Sequence, residues 1–224
     1  MRTEPLSTRL VSSDDEHRDV CYAAFNYMLA SHFTRKEGRN DDFSSAASAQ
    51  HLVMAFAHFA AFVADSVRAI CHVRPSVMKS SKKLDVETVL ELGTWEALNS
   101  RLVEDFVYEF GWESITGAVV TMRKRLGLTL DVPKEWLVEL EEAELLRHLF
   151  VHAGGRVSAE HLKRSGRVDV AVGVQLTVPR AFVERVSRTL LLLAGEIVAD
   201  VGRVHFGKDT SKPANLGGVL RRAT

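Results

Sequence analysis

The chain has 224 residues, of which 46% are hydrophobic and 26% charged, with 29 basic and 29 acidic side chains and a formal net charge of zero. That composition excludes a disordered, collagen-like or disulfide-rich chain and supplies enough apolar surface for one well-filled core. A zero balance does not advertise a nucleic-acid binder, although a local basic patch would suffice for one. Cys21 and Cys71 lie in apolar helical patterns without a CxxC or Cys/His ligand cluster. They read as buried thiols of a reducing cytoplasm rather than as a disulfide.

Residues 1–15 are polar and read as an arm, with no apolar run of signal-peptide length. Glu16 to Lys36 has helical spacing, with Val20, Ala23, Ala24, Tyr27, Met28 and Ala30 as its apolar positions. A Gly/Asn/Asp/Ser-rich loop, Gly38 to Ser45, precedes a helix from about Ser44 to His72 that is apolar around most of its circumference. Within it, Phe43 to Ala64 carries no Asp, Glu, Lys or Arg and is long enough to span a bilayer. Its serines, Gln50, His51 and His58, and its Ala/Phe pattern, suit a central packed helix better, so the expectation is a protein outside the membrane. Arg74-Pro75 ends the helix, because proline disfavours helical geometry at the residue before it.

A basic loop around Lys79, Lys82 and Lys83 follows. Asp85 to Phe110 reads as one helix through Val89, Leu92, Trp95, Leu98, Leu102, Phe106 and Val107, and Glu113 to Leu126 as a shorter one closing on Arg123, Lys124 and Arg125. Pro133 suits the first turn of the next helix, which runs to Arg147 and His152 and stops at Gly154 and Gly155. Ser158 to Lys163 reads as a short helical turn. Between Val168 and Val178 valines and a leucine alternate with other residues, which predicts a small hairpin turning near Gly173, or one long strand. Pro179 starts a last helix, Arg180 to about His205, and the Gly/Pro/Ser-rich tail 207–224 reads as disordered. The fold class is mainly α: a helical bundle of about five to six helices, with a hairpin before the last one, forming a single domain over 16–206.

The stretch Glu139 to Val157 carries the chemistry. Arg-x4-His occurs in it as Arg147 and His152, and once more as Arg156 and His161, which straddle the turn after the glycine pair. Only the first combines an amphipathic helix, a polar residue (His148) after the arginine and a Gly-Gly stop. The phrase RHLFVHAGGRVSAEHLKRSG resembles the motif region of the HEPN superfamily of small helical ribonucleases, and within it the RiboL-PSP-HEPN kind and related bacterial HEPN-like proteins. Members more often have Asn where this chain has His148, and Asn or Arg where it has Ala153.

The resemblance implies a HEPN-like helical domain acting as a metal-independent endoribonuclease in a bacterial stress or phage-defence setting. It implies RNA as substrate, a homodimer whose two motifs share a cleft, no cofactor, and an antitoxin or defence-system protein as partner. His152 would be the acid/base, Arg147 the phosphate clamp, and His148 an orienting group or a sharer of the proton work. Five residues turn a straight helix by about 500°, leaving Arg147 and His152 roughly 140° apart, so they converge only where the helix ends or distorts before His152. The alternative is a catalytically inactive HEPN-like module binding RNA, a nucleotide or a protein. A third reading is a structural bundle with Arg147 as an exposed ion-pair partner and His152 as a helix-end histidine.

Weaker candidates stand beside these. Arg123, Lys124 and Arg125, with the lysines of the basic loop, can contact an RNA backbone or can form an ordinary solvated face. His51 and His58 lie two turns apart on one helix face, but no Asp, Glu or Cys completes a ligand set there. Glu141, Glu142 and Glu144 read as a solvated face, one of which can orient a catalytic side chain. No GxxxxGK[ST], HExxH or GxSxG occurs.

Overall fold

A computed structural model describes residues 41–79, 85–110 and 114–208. Among the described residues seven α-helices follow in order: α1 Asp41–Val73, α2 Val86–Leu92, α3 Trp95–Phe110, α4 Ile115–Leu126, α5 Lys134–Ala153, α6 Ala159–Ser165 and α7 Arg180–Phe206, with a 3-10 turn at Pro75–Met78 after α1. The helical-bundle expectation holds. The arm, the Glu16 to Lys36 pattern, Cys21, Lys82, Lys83 and nearly all of the tail lie outside the described residues.

The two longest helices, α1 and α7, make the most extensive helix pair. On α7, Val183, Val186, Leu190, Leu193, Ile197 and Val201 recur at three and four and are all buried. Leu52, Phe59, Phe62, Val67 and Ile70 of α1 belong to the same core. Each such side chain contributes about 1.5–3 kcal/mol when it leaves water. Cys71 is buried in that core as a free thiol, and burial pushes it up to about 12. By length and composition Ala47–Val73 is apolar enough to cross a membrane, and half of its most apolar window is buried inside the molecule.

The stretch expected as one helix from Asp85 to Phe110 is two. Gly93 ends α2 in the left-handed region at φ 68°, and the Thr94 hydroxyl accepts from the Ala97 N–H at 3.2 Å to start α3. Ser114 caps α4 and Ser158 caps α6, each accepting from a backbone N–H in the first turn.

The expected hairpin is absent, and so is the single long strand. Gly173 to Leu176 instead lies along the turn that follows α5. The Val157 N–H donates to the Val174 carbonyl (2.8 Å), the Gly173 N–H to the Val157 carbonyl (2.8 Å) and the Leu176 N–H to the Gly155 carbonyl (2.9 Å), giving one antiparallel bridge, Arg156 to Gln175. A hairpin needs a buried face, and this alternation has none. Val168 is 97% exposed and Val172 and Val174 are also exposed; of the alternating valines only Val178 is buried.

Candidate functional site on α5

Helix α5 is anchored by Leu140, Ala143 and Leu149 and clasped to α7 by Glu139, which accepts from Arg185 and from the Thr189 hydroxyl. It continues without distortion through His152 to Ala153, and Gly154 caps it at φ 57°. Gly155 follows at φ 85°, where a Cβ would lie 2.5 Å from Phe150 Cε1 and 2.6 Å from Gln175 Nε2. Only glycine fits that position. Gln175 Nε2 donates to the Gly154 carbonyl at 2.7 Å and fastens the end of the helix to the loop.

Because the helix stops after His152 rather than before it, Arg147 and His152 keep the angular separation of a regular helix, about 140°. Arg147 turns towards α1. Its guanidinium lies 5.8 Å from the centre of the Phe56 ring and 3.7 Å from Glu144 Oε1, and its Nε is buried without a hydrogen-bond partner. It borders a groove of about 240 Å³ walled by Val53, Phe56 and Val63 of α1, Val107 of α3 and Ala118 of α4.

Of the glutamates expected on a solvated face, Glu144 is half-buried, and Glu141, though exposed, is hydrogen-bonded. Glu144 accepts from the Ile115 N–H (3.4 Å) and Glu141 from the Thr116 hydroxyl (2.7 Å), so both carboxylates face the positive end of α4. Burial raises the Glu144 pKa, against the opposing pull of the Ile115 N–H and Arg147. Glu142 is exposed.

His148 and His152, one helical turn apart, do meet. Their ring centres are 4.3 Å apart with planes inclined at 46°, on the exposed side of α5. His148 is held below the usual histidine range, first by partial burial and then by the positive field of His152, Arg164, Arg147 and His161. In the sequence His161 lies beyond a turn from α5. Here it sits in α6, packed against α5, with its Nε2 buried and without a partner. Burial, then Arg167 and Arg164, lower its pKa. No local signal links His161 and Arg164 to α5; only the packing of α6 does. Arg156, the partner of His161 in the second Arg-x4-His match, donates to the Gly173 carbonyl (3.1 Å).

The basic run at the end of α4 is largely committed to the fold. Arg123 donates to the Leu130 carbonyl (3.0 Å), and Arg125 pairs with Glu109 (2.5 Å) while lying 4.2 Å from the Phe106 ring centre. Lys124 and Lys79 are exposed. His51 and His58 are half-buried on α1, and among the described residues no group of three or more His, Cys, Asp or Glu surrounds one point. No protein-family model, curated protein or solved structure matches the chain.

Proposed function

We propose that the chain is a metal-independent endoribonuclease of HEPN type, in a bacterial stress or phage-defence setting, with His148 and His152 dividing the proton transfers. The observation that carries this reading is the contact of the two imidazoles on an open helix face, beside the sequence phrase that resembles the HEPN motif. His148, whose pKa its surroundings lower, is placed to take the proton of a ribose 2′-hydroxyl. As that oxygen attacks phosphorus, His152 protonates the departing 5′-oxygen. The P–O5′ bond breaks, and the products are a 2′,3′-cyclic phosphate and a free 5′-hydroxyl. A guanidinium must steady the phosphorane. Within one chain Arg147 faces away from the histidine pair, and a homodimer removes that difficulty, because the arginine of one copy can meet the histidines of the other.

A second reading is a catalytically inactive HEPN-like module that binds RNA, a nucleotide or a protein. The placement of Arg147 favours it, since its nearest charged partner is Glu144 and its ring contact is Phe56. Cleavage of total RNA in EDTA separates the two. Wild type is expected to cut and leave cyclic phosphate ends, with His148→Ala and His152→Ala each slower by about a hundredfold or more. Failure of folded wild type to cut sinks the nuclease reading in favour of the binding module. Equal cutting by wild type and both variants places the activity elsewhere.

A further inference from the structure

We propose that His148 and His152 form a two-imidazole chelate for a divalent late transition ion, Zn2+ above all. The residues fit on three counts. They stand at i and i+4 on one face of a regular helix, the spacing at which two imidazoles can share an ion. Zn–N bonds of about 2.0–2.1 Å put each ring centre about 3.2 Å from the ion, so at the tetrahedral angle two bound rings lie roughly 5.2 Å apart. From the observed 4.3 Å, side-chain rotations that open the pair by roughly 1 Å reach that separation. Both residues are exposed, so an ion reaches them without any opening of the fold.

The protein supplies two donors and water completes the shell, which makes this an affinity site rather than a closed structural one. Imidazole selects zinc, copper and nickel over magnesium and calcium. Arg147, Arg164 and His161 oppose a cation here.

Binding itself stands apart from the RNA-cleavage reading. Its consequence rests on that reading: an ion held by both imidazoles removes the acid and the base together, so zinc switches the nuclease off.

The test uses the full chain freed of metal by EDTA and dialysis, with Zn2+ titrated against a chromophoric chelator and Mg2+ as control. Wild type is expected to bind one zinc equivalent that His148→Ala and His152→Ala each weaken by more than about tenfold, and zinc should raise the melting temperature of wild type alone. Both substitutions are at exposed positions, and circular dichroism checks that the variants fold. Zinc binding that is absent in wild type, or unchanged in both variants, overturns the proposal. In parallel, zinc should suppress RNA cleavage by wild type and EDTA should restore it. A chain that binds zinc at this pair but never cuts RNA would overturn the nuclease reading and leave the chelate standing.

Discussion

Gly155 shows how much one residue can hold at this site. Its φ of 85° disfavours any side chain, and a methyl group would collide with the Phe150 ring and the Gln175 amide. Gly155→Ala should therefore destabilise the fold by about 2–3 kcal/mol, and Gly154→Ala, with open space around it, by about 1 kcal/mol. Urea unfolding of the two variants measures the difference. The histidines set the response to acid. His148, His161 and His205 all have pKa values lowered by burial, and His205 also donates from Nε2 to the Leu126 carbonyl at 2.8 Å. The unfolded chain thus takes up protons at higher pH than the folded one. The stability these neutral rings contribute is complete above the free histidine value near 6.5 and is lost as pH falls below it. Unfolding midpoints should drop between about pH 7 and 5, and NMR titration of the ring protons should place all three histidines below the free value. Glu144 works in the opposite sense: its raised pKa stabilises the fold at low pH and loses that contribution as pH rises through the folded value.

At the scale of elements, Asp200 on α7 organises the connection that enters α5. It accepts from the Thr129 hydroxyl (2.9 Å), the Leu130 N–H (3.1 Å), the Thr129 N–H and Arg203, and these bonds outweigh the burial that would otherwise raise its pKa. Asp200→Ala leaves two backbone donors without a partner and should cost about 3 kcal/mol, read as a lower urea midpoint at unchanged slope. Elements differed in how far the sequence disclosed them. The last helix was legible almost to the residue, because Pro179 opens it and its apolar face never loses phase. The break at Gly93 was not, because Leu92, Trp95 and Leu98 keep helical spacing across it and only the left-handed glycine interrupts the chain. The false hairpin has a different cause. Alternation predicts a strand only where one face is buried, and whether it is buried is a tertiary fact. At the site, the i, i+4 relation of His148 and His152 is present in the sequence, whereas the Arg-x4-His spacing does not bring its two residues together on a regular helix. The approach of α6 was not readable at all.

For the whole molecule, the α1–α7 pair is the spine, so Leu190→Ala in its centre should cost about 2–5 kcal/mol, measurable by the same denaturation. The nuclease reading adds a requirement on assembly. If the arginine of one copy serves the histidines of another, sedimentation should find a dimer, and mixed dimers of Arg147→Ala with His152→Ala chains should regain one intact site and part of the activity. A monomer at the concentrations at which RNA is cut would rule out that shared arrangement.

Cys71 turns the spine into its own clock. A thiol buried in the core and pushed up to about 12 presents almost no thiolate to a reagent while the helices stay together. In a Cys21→Ser background, the labelling rate of the remaining thiol by a maleimide therefore counts the openings of α1 from the core. Zinc that clamps the end of α5 should slow that count only if the two ends of the bundle open as one unit.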